Sequence, residues 1–261
     1  MRSVFLSMIV LIIALASGGA LAQPVSTSEI APTGKLRVGM QIGSAILAAR
    51  ATDGSVSGVS VDLGMFIAER LKVLFEPVVY ANQEAYAQSF GKDEWDIAIG
   101  VRDSAVGKAD LAPDFMLADA QYIAGPGRAF ADSSQVDRSS VKVAFAKGGG
   151  SEQILRRLLK SAELVPVTGG VHNAIEALRT GKADVWAANP VTLRAIGDGL
   201  PGSTIIPGAY ATGRYAVIIP KGRSLEAQRV VGEIVQEAKL TGIVQQAIDK
   251  AGFEGVRVAP Q

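Results

Sequence analysis

The stretch Gly91–Ile99 reads Gly-Lys-Asp-Glu-Trp-Asp-Ile-Ala-Ile, and a similar stretch, Gly181–Ala188, reads Gly-Lys-Ala-Asp-Val-Trp-Ala-Ala. In both, a glycine ends a helical pattern, a lysine complements the helix C-terminus, and an aspartate leads into an apolar run. A short apolar run bounded by turn signals is typical of a buried strand. The likeness is one of order rather than of sequence, so we infer two α/β units but no duplication.

Strands and helices alternate on either side of these two stretches. The predicted strands are Lys35–Met40, Val73–Tyr80, Asp96–Ile99, Val141–Ala146, Leu164–Val167, Asp184–Ala188 and Tyr215–Ile219. The predicted helices cover residues 63–71, 83–90, 151–159, 171–180, 225–239 and 242–251. Such alternation indicates parallel sheets.

This order predicts an α/β fold of two lobes, with two doubly wound sheets joined by a two-strand hinge. Residues 34–122 are expected to begin lobe 1, residues 123–212 to form lobe 2, and residues 213–261 to return to lobe 1. The last segment is too short to be a third domain. Open α/β sheets bind ligands at the carboxyl ends of their strands, so a cleft between the lobes is the expected binding site.

The N-terminus has the pattern of an export signal. Arg2 precedes the apolar run Val4–Ala16, and Ala20-Leu21-Ala22 follows, so residues 1–22 are predicted to be a cleavable signal peptide. An uncleaved anchor is the alternative, although a spanning helix needs about 20 apolar residues. The sequence contains no cysteine, so neither a disulfide nor an acylated cysteine is expected. We therefore predict a periplasmic protein without a lipid anchor.

Charge and motif content exclude several classes of function. The 26 Lys and Arg residues nearly balance 25 Asp and Glu residues, which argues against a nucleic-acid-binding protein. The glycine-rich turn Gly148-Gly149-Gly150-Ser151 contains neither common nucleotide-binding motif. His172 is the single histidine and cannot make a metal site alone. We expect no cofactor, no metal and a monomeric chain.

In the order of its short motifs, the chain resembles the periplasmic solute-binding proteins of family 3, the polar-amino-acid type. The matching stretches are Leu36–Gly39, Gly58–Leu63, Asp96–Gly100, Val141–Ala144 with Lys147-Gly148, Ala174–Asp184 and Ala216–Gly222. The resemblance covers nearly the whole chain after the signal. It implies a type II periplasmic-binding fold and delivery of a ligand to the permease of an ABC importer in the inner membrane.

The ligand-binding residues of that family carry over poorly. The position of its carboxylate-binding arginine corresponds to Ala105, and that of its ammonium-binding aspartate to Asn189. The aromatic pair expected after the first strand is replaced by Gln41-Ile42-Gly43-Ser44. The resemblance therefore implies a ligand other than an ordinary amino acid.

Several residues are candidates for contacting that ligand, and each has a structural alternative. Backbone N–H groups of the glycine-rich turn can bind an anion, whereas a plain capped turn is the alternative. Arg102 can bind a carboxylate or pair with Asp103 or Asp110. Asn189 can bind a hydroxyl or amide, or cap the helix before Pro190. The predicted ligand-binding residues are Gln41, Ser44, Gly100, Arg102, Gly149, Gly150, Ser151, Asn189 and Tyr210.

The predicted function is capture of a small polar solute, either amino-acid-like or another organic anion or amide, without chemical conversion. One alternative is a periplasmic enzyme on the same fold, similar to the cyclohexadienyl dehydratases, with Asp103, Glu152 and His172 as candidate acids or bases. The other alternative is a sensor protein that presents the ligand to a receptor.

Overall fold

A computed structural model describes residues 27–42, 46–147, 150–252 and 255–261 of the chain. The predicted signal peptide lies outside the described residues, as do the predicted ligand contacts Ser44 and Gly149. None of the helices in the described ranges is long and apolar enough to cross a membrane.

The described chain contains eleven strands and nine α-helices. The strands are β1 Lys35–Gln41, β2 Ala49–Arg50, β3 Val56–Ser57, β4 Leu74–Tyr80, β5 Ile97–Val101, β6 Asp110–Ala124, β7 Lys142–Ala146, β8 Glu163–Val167, β9 Val185–Ala188, β10 Thr204–Ile219 and β11 Val256–Val258. The helices are α1 Thr27–Ile30, α2 Val59–Leu71, α3 Gln83–Gln88, α4 Arg102–Ala105, α5 Gly150–Leu158, α6 Val171–Arg179, α7 Pro190–Gly199, α8 Leu225–Leu240 and α9 Ile243–Ala251.

Parallel strands form the two ends of the sheet, as the alternation of elements predicts. The strand order is β4-β1-β5-β10-β6-β9-β7-β8, and β11 adds to β6. Strand β1 is parallel to β4 and β5, and β7 is parallel to β8 and β9. The helix-rich connections pass over these parallel strands because a parallel pair needs a long crossover.

Two long strands, β6 and β10, cross between the two ends and pair with each other. Because they pair, one continuous path of hydrogen bonds links the two predicted sheets. The sequence pattern predicts only the Tyr215–Ile219 part of β10 as a strand, and it leaves β6 unassigned. Pro113 and the aspartates spaced along β6 hide its apolar alternation.

The buried residues separate into two sets, which define the lobes. In the first lobe, one cluster fills the space among β1, α2, α8 and α9, and a smaller cluster surrounds Tyr86 and Trp95 on the other face. In the second lobe, one cluster surrounds Trp186, and another surrounds Tyr122 and Phe145. Each lobe thus has its own core on both faces of its strands, and β6 and β10 contribute to both.

Asp96 and Asp184, the aspartates of the two similar stretches, play equivalent parts. A carboxylate oxygen of Asp96 accepts from the Arg37 backbone N–H at 2.9 Å, and the Arg37 side chain binds the same group. The Asp184 carboxylate accepts from the Lys142 backbone N–H at 2.8 Å and pairs with Arg128. Each aspartate therefore joins the starts of two neighbouring parallel strands.

Asp137 supplies an acid-sensitive contact in the second lobe. Its carboxylate accepts from the backbone N–H groups of Lys160, Ser161 and Ala162 at 2.7–3.0 Å. These bonds lower the pKa of Asp137 below its ordinary value, and the bond from Ala162 has the largest effect. Its contribution to stability is therefore complete above the ordinary aspartate pKa of about 4 and is lost as the pH falls through the lowered folded pKa.

We expect Asp137→Asn to destabilise the protein at pH 7 and to reduce the difference in stability between pH 7 and pH 3. Urea denaturation at the two pH values measures this. Asp198→Asn is the control because Asp198 is an exposed aspartate on α7. An equal acid response of the two variants would contradict the assignment.

Candidate functional site

The ends of β5 and β9 define a gap between the lobes. Val101, the last residue of β5, pairs with Tyr215, which pairs with Met116 on β6. Ala188, the last residue of β9, pairs with Gln121 on β6. Both pairings fix directions: β5 runs along β6 toward the second lobe, and β9 runs against it toward the first. The two ends are five residue steps apart along β6, from Met116 to Gln121, or roughly 17 Å of strand.

Most of the predicted ligand-binding residues lie at strand or helix ends next to this gap. Gln41 is the last residue of β1 and is buried, and Gly100 and Arg102 lie at the end of β5. Gly150 and Ser151 begin α5, and Asn189 immediately precedes α7. These residues, which are far apart in sequence, therefore lie at the carboxyl ends of parallel strands or at the starts of the helices that follow them.

Ser151 and Tyr210 are in direct contact. The Tyr210 hydroxyl donates to Ser151 Oγ at 2.8 Å, and burial raises the pKa of Tyr210 to about 12, against a smaller opposing effect of this hydrogen bond. The Tyr210 ring also packs on Tyr122, with ring centroids 4.6 Å apart. The Tyr122 hydroxyl is buried and has no hydrogen-bond partner among the described residues. Tyr122 was missed in the sequence because its strand was not predicted.

Gly100 has a packing role that the sequence did not indicate. A Cβ atom at this position would lie 2.7 Å from the hydroxyl oxygen of Tyr86. Tyr86 is buried in an aromatic cluster with Tyr80 and Phe90. Glycine therefore leaves room for the tyrosine beneath the end of β5.

Arg102 is held in a cluster on the crossover strands. Its Nη1 atom lies 2.9 Å from Asp114 Oδ1, so the partner is Asp114 rather than Asp103 or Asp110. Arg214 on β10 binds the other oxygen of Asp114 through Nε at 2.6 Å. Asp114 is nearly buried, whereas Arg214 is more than half exposed. Sequence patterns could not identify Arg214 or Asp114, because the two residues are far apart in the chain.

A second ion pair lies further along the same face of the crossover. Asp119 on β6 accepts from Thr212 Oγ1 at 2.9 Å and pairs with Arg257 on β11 at 2.6 Å. Antiparallel register places Leu117 opposite both Arg214 and Arg257. The exposed face of the crossover is therefore rich in arginine.

A cavity of about 630 Å³ adjoins this face. Its lining consists of residues of β6, β10 and α8, the start of α4, and the last three residues of the sequence: Arg102, Leu111, Ala112, Pro113, Asp114, Leu117, Thr212, Arg214, Gln236, Ala259, Pro260 and Gln261. Leu117, Thr212 and Arg214 lie on the segments of β6 and β10 that span the gap. A volume of this size suits a small organic molecule.

Solved structures share this architecture, whereas no protein-family model and no curated protein matches the sequence. A putative binding component of an ABC transporter from Wolinella succinogenes, complexed with lysine, is 16% identical, with a TM-score of 0.69 over 84% of this chain and 95% of that chain. The solute receptor for L-cysteine of Neisseria gonorrhoeae is 16% identical, with a TM-score of 0.65 over 87% and 94% of the two chains. The chain has the type II periplasmic-binding-protein fold.

A third similar structure is an ancestral amino-acid-binding protein described as a precursor of cyclohexadienyl dehydratase. It is 19% identical, with a TM-score of 0.67 over 86% of this chain and 97% of that chain. The TM-scores of these structures establish the fold, and the predicted two-lobed α/β class is confirmed. The type II fold also explains why the two cores are separate while β6 and β10 are shared.

In this type II fold, the C-terminal segment also contacts the second lobe. Arg194 on α7 donates through Nη1 to the Gly252 carbonyl at 2.7 Å, at the end of α9. Gly255 lies beside Pro190, and its carbonyl accepts from the Asp119 backbone N–H at 2.9 Å. Gly252 and Gly255 therefore add contacts between the lobes beside the two crossover strands.

The three candidate acids and bases are not arranged as an evident catalytic group. Glu152 pairs with Arg156 at 2.8 Å, one helical turn away on α5. Asp103 is exposed on α4, and His172 is exposed at the start of α6. No observation on the described residues of this type II fold favours acid–base chemistry at these positions.

Asn189 caps α7, as the structural alternative for this residue predicts. Its Oδ1 accepts from the Thr192 backbone N–H at 3.0 Å, and Pro190 occupies the first helical position. We expect Asn189→Ala to lower the free energy of unfolding by about 1 kcal/mol, because the helix loses this cap. Asn189→Ser should retain most of the stability, since serine is also a good cap.

The serine variant separates capping from ligand binding. If Asn189 contacts the ligand through its amide, Asn189→Ser should weaken ligand binding while thermal unfolding changes little. Unchanged affinity would restrict Asn189 to the capping role.

Proposed function

We propose that this protein is the periplasmic solute-binding component of an ABC importer and that it captures a small polar solute between its lobes. The observation that carries the proposal is the gap itself. Strands β5 and β9 point toward each other from separate lobes, and their ends carry Gly100, Arg102 and Asn189. Ligands of open α/β sheets bind at such strand ends.

The described structures with similar folds support this role. One is a putative binding component of an ABC transporter complexed with lysine, and another is a solute receptor for L-cysteine. From this similarity we infer that the present chain also binds a solute and delivers it to an inner-membrane permease. The export signal predicted at residues 1–22 is consistent with a periplasmic location.

We propose lobe boundaries close to 34–122 and 213–261 for the first lobe and 123–212 for the second. The two sets of buried clusters support this division. Closure would be a hinge motion of the lobes about the paired strands β6 and β10, which brings both sets of strand ends onto one ligand.

Within the closed cleft, each predicted contact has a specific part. Gln41 and the end of β5 would contact the ligand from the first lobe. The N-terminus of α5, with Ser151 held by Tyr210, would offer backbone and hydroxyl donors from the second lobe. Asn189 would add an amide that can both donate and accept.

The test uses full-length protein that is exported to the periplasm and purified in whatever oligomeric state it adopts. Small solutes are screened by thermal unfolding, and hits are examined by small-angle X-ray scattering. A true ligand should reduce the radius of gyration and raise the stability by about 2.7 kcal/mol at a hundredfold excess over its dissociation constant. Mass spectrometry should recover the ligand unchanged.

Two outcomes would contradict binding without conversion. If no solute in the screen stabilises or compacts the protein, the result contradicts the proposed function. Conversion of a bound solute, including formation of an aromatic product from prephenate detected by ultraviolet absorbance, would identify an enzyme instead.

A further inference from the structure

Tyr210 lies at an irregularity in the pairing of the two crossover strands. The register of the ladder between β6 and β10 shifts between Ile206 and Ala211, and Tyr210 falls within this interval. Ala211 pairs with Ala120, the neighbour of Gln121, and Gln121 pairs with the last residue of β9. Tyr210 is therefore on the part of β10 that borders the gap on the side of the second lobe.

The start of α5 reaches the same edge of the second lobe. Ala144 on β7 pairs with Trp186 on β9, and both strands end two residues beyond this pair. The chain then continues from Ala146, the last residue of β7, to α5, which begins at Gly150. Ser151, in the first turn of α5, therefore lies at the edge of the second lobe where β9 also ends.

Packing fixes the direction of the Tyr210 hydroxyl. Tyr122 belongs to the buried cluster that includes Leu155 of α5, and the Tyr210 ring packs against this cluster. The ring centroids of the two tyrosines are 4.6 Å apart, and the ring planes are inclined by 34°. The Tyr210 hydroxyl donates to Ser151 Oγ at 2.8 Å, and burial, the largest effect on the pKa of Tyr210, raises it to about 12. The phenol therefore keeps its proton at neutral pH and remains a donor to Ser151.

This hydrogen bond leaves the Ser151 proton for another acceptor. A serine hydroxyl has one proton and two lone pairs, and the Tyr210 hydroxyl occupies one of the lone pairs. Within the described part of the chain, the Ser151 side chain has no second hydrogen-bond partner. A hydroxyl that already accepts a hydrogen bond is polarised and donates more strongly. Ser151 is also partly exposed, so a solute in the gap can accept a hydrogen bond from it.

We propose that Tyr210 is a positioning residue of the ligand site: it holds the Ser151 hydroxyl so that this hydroxyl donates to an acceptor oxygen of the solute. This inference rests on the proposed function, in which Ser151 contacts the ligand from the second lobe. Tyr210 thus acts on the solute through Ser151. The contact joins a crossover strand, about which the lobes move, to the first turn of the helix that meets the solute.

The test first identifies a solute probe by isothermal titration calorimetry on the full exported protein. The probes are the standard amino acids, succinate and malate, all of which carry carboxylate oxygens, and putrescine and cadaverine, which carry only ammonium donors at neutral pH. We expect at least one carboxylate-bearing probe to bind and neither diamine to bind. The tightest-binding probe is then titrated into the variants.

A double-mutant cycle isolates the positioning role. Tyr210→Phe, which keeps the ring but removes the hydroxyl, should weaken binding of that probe by about 3- to 10-fold, because Ser151 loses the bond that orients it. Ser151→Ala should weaken binding by about 10-fold or more, since the donor itself is lost. In the double variant, Tyr210→Phe should have no further effect, because it acts only through Ser151. A purely structural role of Tyr210 would instead give additive losses.

Tyr122→Phe is the matched control for ring packing. Tyr122 is 1% exposed, and its hydroxyl has no hydrogen-bond partner among the described residues. The change therefore removes a hydroxyl from the same ring pair without breaking a hydrogen bond. It should change affinity for the probe by less than about twofold and should not lower the midpoint of urea unfolding.

The outcomes separate this inference from the proposed function. Unchanged affinity in Tyr210→Phe or in Ser151→Ala, or additive losses in the double variant, would overturn the positioning role and leave solute binding intact. An equal loss of affinity in Tyr122→Phe would also overturn it, because the effect would then come from packing. Binding of a diamine alone would overturn the donor role of Ser151. Absence of binding with every probe would overturn both proposals.

Discussion

Replacing Asp96 with alanine is expected to lower the free energy of unfolding by about 3–5 kcal/mol, because it leaves a largely buried arginine with only the exposed Asp93 as a counter-charge. The Asp96 carboxylate is fully buried, and the Arg37 guanidinium that it binds at 2.7 Å is only 20% exposed. The Arg37 backbone N–H would also lose its acceptor. Chemical denaturation at neutral pH measures the loss.

Asp184→Ala is the matched variant in the second lobe. It removes the same bond to a backbone N–H, but its arginine partner, Arg128, is 55% exposed and can be solvated by water. We expect a smaller loss of about 1–3 kcal/mol. Equal losses of stability in the two variants would contradict the expected effect of burying the arginine partner.

Gly58→Ala is expected to destabilise the protein by about 3–5 kcal/mol, since it combines backbone strain with a clash in a packed region. Gly58 has φ +130°, and a Cβ there would lie 2.5 Å from the Leu47 carbonyl oxygen. That carbonyl accepts from the Ser60 backbone N–H in the first turn of α2. The buried segment Ile46–Ala48 follows the cleft end of β1, so its displacement should also weaken ligand binding.

Gly54→Ala is the control for conformational strain alone. Gly54 also has a positive φ, +87°, but a Cβ there would meet no atom within 4 Å. We expect a loss of about 1–2 kcal/mol by equilibrium unfolding, with ligand affinity unchanged. A Gly58 variant that is no less stable than the Gly54 variant would contradict the clash.

The regular α/β elements could be predicted because their signals are local. The glycine, lysine and aspartate around Asp96 and Asp184 mark a helix end and a strand start within a few residues. Strand β6 could not be predicted in this way. Pro113, Asp114 and Asp119 interrupt its apolar pattern, and its stability comes from pairing with β10, about a hundred residues away.

In the candidate site, too, local contacts could be predicted from the sequence and long-range contacts could not. The capping bond of Asn189 spans three residues, so the sequence indicated it. The contact between Ser151 and Tyr210 and the Asp114 cluster join residues from distant strands, and only the strand register brings them together. The ligand-binding roles of Gln41, Arg102, Gly150, Ser151, Asn189 and Tyr210 stay predictions that the proposed experiments address.

The pairing of β6 with β10 limits the mechanical freedom of the molecule. Two separate linkers would permit bending about several axes, whereas a hydrogen-bonded ribbon resists bending within its own plane and yields more easily to out-of-plane bending and torsion. The ladder is irregular between Ile206 and Ala211 and again from Tyr215 to Ile218, so deformation costs least at these two points. Relative movement of the two halves should therefore combine flexing and twisting of the ribbon, with its elastic elements at the irregular positions.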